Sequence, residues 1–133
     1  MLRLPTYNPK METVGPARSD IGTRTVLDGV GHVVSLSLSD GMLVLCDPVD
    51  PRSCVTLNKV EAQIVHAFLS MTLRMPTVVG RSEELGRGRI VALVEGESPP
   101  IRITTPEGAI DIRPPSWEQM IGEIGLLLPR MAS

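Results

Sequence analysis

Residues 34–45 read VSLSLSDGMLVL, and this stretch decides the fold. Aliphatic residues and serines alternate over its first half, so that successive side chains point to opposite faces of a strand. Asp40-Gly41 then favours a two-residue type I′ turn, because both turn positions need a positive φ. The predicted register pairs Ser39 with Met42, Leu38 with Leu43, Ser37 with Val44 and Leu36 with Leu45. We therefore predict a β-hairpin whose leucines are buried on one face.

The segment after this hairpin predicts a helix over residues 59–74. Asn58 can cap the helix, Glu61 can complete a capping box, and Pro76 prevents the helix from continuing. Apolar residues cover most of its surface: the main stripe is Val60, Ile64, Ala67, Phe68, Met71 and Met75, widened by Ala62, Val65, Leu69 and Leu73. Only a narrow polar strip remains, which consists of Lys59, Gln63, His66, Ser70 and Arg74. We therefore expect the helix to be covered on more than one side, by its own fold or by another subunit.

The second half of the chain repeats the hairpin-then-helix pattern. Ser82 is predicted to cap a single helical turn that ends near Leu85. Residues 89–95 predict a strand that is apolar on both faces and therefore interior to a sheet. Two further short strands flank a turn at Pro106-Glu107-Gly108.

A last helix is predicted after Pro114-Pro115. Ser116 is expected to cap it, with Gln119 as the capping-box partner. Its apolar stripe consists of Trp117, Met120, Ile121, Ile124, Leu127 and Leu128. We expect Trp117 to be buried and to anchor this helix onto the sheet, with Leu126 exposed on the opposite face.

These elements predict one α+β domain over residues 32–133, with an antiparallel sheet of about five strands packed by two helices. The domain contains two hairpin-helix units, at about residues 33–75 and 101–131. Residues 1–31 are rich in Pro and Gly, and we expect an extended N-terminal arm with a short strand at Thr23–Leu27. We predict that residues 1–28 lie against another chain and not against their own core, and that the protein is oligomeric.

The composition excludes several classes of protein. Thirteen Lys and Arg residues stand against fifteen Asp and Glu residues, a balance that excludes binding to nucleic acid mainly through charge. Three aromatic residues are too few for a platform on which bases stack. The sequence contains no apolar run long enough to cross a membrane and no apolar block typical of a signal peptide, so we expect neither a membrane location nor secretion through a signal peptide.

The residues that most often carry chemistry form no recognised catalytic pattern. Cys46 and Cys54 are too few and wrongly spaced for a compact zinc site. A disulfide across the loop between them is sterically possible, but the lack of a secretory segment favours a reducing compartment, so we expect both thiols to be reduced and free of metal. His66 lies on the polar strip of its helix without a predicted nucleophile beside it. We therefore predict no catalytic residue, no cofactor, no metal and no enzymatic activity.

Two sets of residues are candidates for binding. Basic residues around flexible glycines could contact an anion or nucleic acid: Arg74, Arg81, Arg87 and Arg89. Apolar residues on the arm and the two helices could contact another subunit: Tyr7, Val26, Leu27, Val65, Leu69 and Leu126.

Leu4-Pro5-Thr6-Tyr7, followed by a stretch rich in Pro, Gly and Arg, resembles the leader of many tailed-bacteriophage virion proteins. The resemblance covers about the first twenty residues. It implies a non-enzymatic structural component, located in a virion or the host cytoplasm, whose arm joins it to copies of itself and to other structural proteins. The alternative is a small regulatory or counter-defence protein that binds nucleic acid or an anionic ligand through the Arg74–Arg89 loop.

Overall fold

The computed structural model describes residues 23–27, 33–50, 52–75 and 81–132. Within these residues the chain forms eight strands and two α-helices. The first half contains β1 (Arg24–Leu27), β2 (Val33–Ser39), β3 (Met42–Cys46), β4 (Cys54–Leu57) and α1 (Lys59–Arg74). The second half contains β5 (Ser82–Gly86), β6 (Arg89–Leu93), β7 (Ile101–Thr105), β8 (Gly108–Ile112) and α2 (Trp117–Leu127). Short 3-10 turns, Pro114–Ser116 and Leu128–Arg130, flank α2.

Each half is an antiparallel meander of four strands followed by a helix, with sheet orders β1-β2-β3-β4 and β5-β6-β7-β8. The prediction of an α+β fold is therefore confirmed, but the prediction of one sheet of about five strands is wrong. The strands that the sequence pattern did not count as part of the sheet are β1, β4 and β5, each only four or five residues long. The sequence pattern placed β1 in the N-terminal arm and β5 in a helical turn, and it assigned no strand to residues 54–57.

The hairpin of β2 and β3 has the predicted register at every pair from Ser39–Met42 to Leu36–Leu45. Asp40 and Gly41 adopt φ values of +53° and +76°, as a type I′ turn requires. The leucines at positions 36, 38, 43 and 45 are all buried, which confirms the predicted face. The hairpin turn also holds the end of the chain, because the Ala132 N–H donates to the Gly41 carbonyl at 2.9 Å.

Helix α1 begins and ends where the sequence predicts. The Asn58 side chain accepts a hydrogen bond from the Glu61 N–H, and the Glu61 side chain accepts one from the Asn58 N–H, both at 2.8 Å. The buried face differs from the predicted main stripe, however. Its apolar members are Ala62, Val65, Phe68 and Leu69, whereas Val60, Ala67, Met71 and Met75 are exposed.

Strand β1 corrects the prediction for the N-terminal arm. The short strand predicted at Thr23–Leu27 exists, but it pairs with β2 of the same chain, and Val26 is completely buried in the chain's own core. The prediction that residues 1–28 do not lie against the chain's own core is therefore wrong for Arg24–Leu27. Residues 1–22 lie outside the described residues.

Two local predictions in the second half are also wrong. Ser82 begins β5 instead of capping a helical turn, because β6 offers this segment a partner strand. Ser116 lies inside the 3-10 turn, and its hydroxyl donates to the Arg113 carbonyl at 2.9 Å instead of capping α2. The strand pair β7–β8 forms around the predicted turn, with Thr105 opposite Gly108.

Helix α2 is held by Trp117, which is 5% exposed and whose indole N–H donates to the Ile112 carbonyl at 2.8 Å. This confirms the predicted burial of Trp117, and Leu126 is exposed as expected. A Cβ atom added at Gly125 would lie 3.4 Å from Nε2 of His66, so His66 packs at the contact between α2 and α1.

Cys46 and Cys54 are joined by a disulfide bond, so the prediction of two free thiols is wrong. The register of β3 and β4 places the two residues directly opposite each other, with a Cα–Cα distance of 4.1 Å. The prediction of free thiols rested on the lack of a secretory segment, which favours a reducing compartment, and not on the distance between the two cysteines.

Candidate interaction surface

Arg89, one of the four candidate anion-binding residues, contacts several partners within its own chain. Its side chain is 13% exposed and donates to the Thr56 carbonyl at 2.6 Å and to Glu107 at 3.2 Å. Its Nε atom also lies 3.6 Å from the carboxylate of Glu61, which is 3% exposed. Arg89 therefore connects β4, α1 and the β7–β8 turn, and its charge is directed into the protein.

Arg81 is likewise engaged inside the chain. Its guanidinium lies 4.7 Å from the centre of the Phe68 ring, a cation–π distance, and donates to the sulfur of Met71 at 3.1 Å. Arg87 lies 3.5 Å from Glu61, but its side chain remains 68% exposed. Arg74 is exposed at the C-terminal end of α1. The structure thus leaves Arg74 and Arg87 available to solvent and directs Arg81 and Arg89 to partners within the fold.

The candidate subunit contacts divide into two groups. Val26, Val65 and Leu69 are 0% exposed, so their side chains pack in the core of their own chain. Leu27 and Leu126 are 59% and 64% exposed and remain candidates. Tyr7 lies outside the described residues.

An exposed apolar surface runs along α1. We call it the α1 stripe and define it as Val60, Ile64, Ala67, Met71 and Met75. Val60, Met71 and Met75 are 63%, 39% and 47% exposed, Ala67 is exposed, and Ile64 is partly buried. The spacing of four, three, four and four residues keeps these side chains on one side of the helix. The sequence predicts an apolar stripe at these positions, apart from Phe68, but leaves open whether it faces the core or another subunit.

Strand β5 lies beside the α1 stripe and runs in the opposite direction to α1. Arg81, which precedes β5, contacts Met71 near the end of the helix. Arg87, which follows β5, contacts Glu61 near its beginning. The α1 stripe is therefore bordered by β5 on one side and by the helix's own polar strip on the other.

A second exposed apolar position lies where α2 meets β1. Arg24 forms two hydrogen bonds with the carboxylate of Glu123, and this ion pair lowers the pKa of Glu123 and raises that of Arg24. Beside it is a concave space of about 260 Å³ lined by Arg24, Leu126, Leu127 and Arg130. Leu126 and the ion pair thus belong to one continuous surface next to the first strand.

Another concave space, of about 550 Å³, is lined mainly by polar residues. Arg102 and Asp111 lie in its wall and form a two-point ion pair at 2.6 and 3.0 Å, which raises the pKa of Arg102. These charges are satisfied by each other and are not directed at a ligand. Within the described ranges, no three His, Cys, Asp or Glu side chains are grouped closely enough to hold a metal ion.

No family model matches the chain, and no curated protein matches it. None of the helices in the described part of the chain is long and apolar enough to cross a membrane. What supports a function for this protein is therefore the geometry of its surfaces.

Proposed function

We propose that this protein is a non-enzymatic structural or assembly component that acts through protein–protein contacts. The observation that carries the proposal is the α1 stripe, which is apolar, continuous and, apart from the partly buried Ile64, exposed. Single exposed apolar residues are common on monomeric proteins, whereas a continuous apolar strip with polar borders is typical of an interface. Covering the α1 stripe with a partner would remove apolar surface from water, and the hydrophobic contribution that favours this is about 25 cal/mol for each Å² buried.

The absence of charge within the α1 stripe supports a protein partner over an ionic one. Interface centres are depleted of charged residues and enriched in methionine, and Met71 and Met75 are flexible side chains that can adapt to a partner's surface. The charged residues Lys59 and Arg74 lie outside the stripe, on the polar strip. This arrangement resembles an interface centre with a polar rim.

The resemblance of Leu4-Pro5-Thr6-Tyr7 to phage leaders supports a particular setting for this role. We propose a component of a tailed-bacteriophage virion, with copies of itself and other structural proteins as partners. Its location would then be the virion or the host cytoplasm.

The alternative is a regulatory or counter-defence protein that binds nucleic acid or an anionic ligand through the Arg74–Arg89 loop. Arg74 and Arg87 remain exposed and favour it, but Arg81 and Arg89 have partners within the fold. Two exposed cations provide much less attraction to phosphate than four.

Site-specific photo-crosslinking tests the proposed function. A photoreactive phenylalanine analogue is placed at Met71 in the α1 stripe and, as a matched control, at Gln63 on the polar strip of the same helix. We expect light to produce crosslinks to a protein, either a second copy or another component, from position 71 in preference to position 63. Equal yields from both positions, or none from position 71, would contradict the proposal.

A further inference from the structure

The two sheets have four edge strands, and three of them are closed or protected. At β4, the outward Thr56 carbonyl accepts a hydrogen bond from Arg89. Strand β8 lies against β4 so closely that a Cβ atom at Gly108 would be 2.5 Å from the Arg52 carbonyl oxygen. Strand β5 contains an irregular register between Glu84 and Gly86 and carries exposed acidic residues, both of which discourage strand pairing.

The fourth edge, β1, has none of these protections in the described part of the chain. It contains no proline, no lysine and no bulge, and its one charged residue, Arg24, is held by Glu123 on α2. Leu27, at the end of the strand, is 59% exposed. Within the described residues this edge is unpaired, and an unpaired edge is a template for pairing with another strand.

The register of sheet β1-β2-β3-β4 shows which backbone groups of β1 face outward. In a two-residue hairpin, Ser39 and Met42 form a hydrogen-bonded pair, and every second residue of β2 before Ser39 also bonds to β3. The residues between them, including Val34 and Leu36, direct their N–H and C=O groups toward β1. Their partners in β1 are Val26 and Arg24. The remaining residues, Thr25 and Leu27, therefore direct their N–H and C=O groups to the open edge.

We propose that the partner at this edge is β1 of a second copy, paired antiparallel about a two-fold axis so that the two sheets become one continuous sheet of eight strands. This inference rests on the proposed function and specifies its partner. The strand is self-complementary: with Val26 opposite Val26 of the partner subunit, Thr25 lies opposite Leu27 of the partner subunit and the outward backbone groups meet. That register sets no charged side chain of β1 against a like charge, and one contact closes both exposed edges at once.

The test uses the full-length chain with Thr25→Pro and, as a matched control, Thr25→Ser. Proline removes the outward N–H at position 25 but leaves the hydrogen bonds between β1 and β2, a position at which edge strands tolerate proline. Sedimentation over a range of concentrations should give wild-type and Thr25→Ser protein twice the 14.4 kDa mass of one chain. We expect Thr25→Pro to weaken the dimer by about ten-fold or more, because both copies lose a donor.

Circular dichroism first establishes that Thr25→Pro retains the folded structure. Should proline unfold the chain, hydrogen exchange of the wild-type protein provides the test: protection of the Thr25 and Leu27 amides should rise with protein concentration. A folded Thr25→Pro variant that dimerises as well as wild type, or exchange at both amides that is independent of concentration, would overturn the proposal. So would a monomeric wild type that dimerises only after residues 2–22 are deleted, since the chain's own N-terminal segment would then cover β1.

The two proposals fail independently. Crosslinking from position 71 reports on the α1 stripe, whereas sedimentation of Thr25→Pro reports on β1. A dimer that is lost in Thr25→Pro, together with no crosslink from position 71, would support the edge contact and contradict the role proposed for α1.

Discussion

Arg89 Nε lies 3.6 Å from Oε2 of Glu61, and this ion pair joins the two halves of the chain inside the protein. Glu61 is only 3% exposed at its side chain and also completes the capping box of α1 through its other oxygen. One carboxylate thus holds the start of the helix and anchors an arginine from the second sheet. The connection explains why an arginine that seemed suited to an anionic ligand is directed toward partners within the fold.

We predict that Arg89→Met destabilises the protein by about 3 kcal/mol or more, because it leaves the buried Glu61 carboxylate without its closest buried cation. Arg87→Met is the matched control, since Arg87 contacts the same carboxylate but is 68% exposed and is expected to contribute less than about 1 kcal/mol. Urea unfolding measures both. An equal loss of unfolding free energy in the two variants would contradict the prediction that the buried ion pair contributes more than the exposed one.

Gly108→Ala should destabilise the protein by about 1–3 kcal/mol, because the new Cβ atom would lie 2.5 Å from the Arg52 carbonyl oxygen, a backbone atom that cannot rotate away. Gly122→Ala, in α2, meets no atom within 4 Å and should stabilise the helix by up to about 1 kcal/mol. Thermal unfolding should therefore show opposite shifts for the two substitutions. A shift in the same direction would place β8 further from β4 than the structure does.

Trp117→Ala should cost about 3–5 kcal/mol, since the indole is buried and its N–H is bonded to the Ile112 carbonyl. Leu126→Ala, on the exposed side of the same helix, should change stability by less than about 0.5 kcal/mol. The free energies of unfolding of the two variants are measured by guanidinium denaturation of the monomeric form. A cost below about 1 kcal/mol for Trp117→Ala would show that α2 is peripheral to the fold.

The ion pair of Arg24 and Glu123 predicts a pH dependence. Because Arg24 lowers the pKa of Glu123 in the folded protein below its usual value of 4.5, the pair stabilises the fold above that pH, and this contribution is lost as the pH falls through the lowered pKa. Arg24→Met should therefore reduce stability at pH 7 and have progressively less effect as the solution is acidified below about pH 4. Urea midpoints of both proteins from pH 3 to 7 test this. A difference that stays constant over the whole range would exclude the ion pair as its cause.

Local chemistry in the sequence determined the elements whose signals are complete within a few residues. The alternation around Asp40-Gly41 specifies both a turn and a register, and Asn58 with Glu61 specifies the start of α1. Trp117 could also be assigned to the core from the spacing of its helix. In each case the groups that interact are neighbours in sequence, so their pattern is visible without the fold.

The sequence also contains the α1 stripe, but it does not show whether this side of the helix faces the core or the solvent. Helix α1 has two apolar arcs, and either could have faced the core. The packing of the sheets and of α2 selected the arc with Val65 and Leu69 and left Val60 and Met71 exposed. The feature that supports the proposed function was therefore decided by long-range packing.

Only the tertiary structure decided the remaining features. Cys54 meets Cys46, Arg89 meets Glu61, and β5 becomes a strand because partners distant in sequence supply the other half of each interaction. A segment such as Ser82–Gly86 has a weak preference of its own, and strand pairing contributes more than the helical cap that its serine suggested. The sequence by itself determined the hairpin and the start of α1 because their stabilising groups are local, whereas the sheets, the buried ion pair and the exposed surfaces depend on contacts that form only when the whole chain folds.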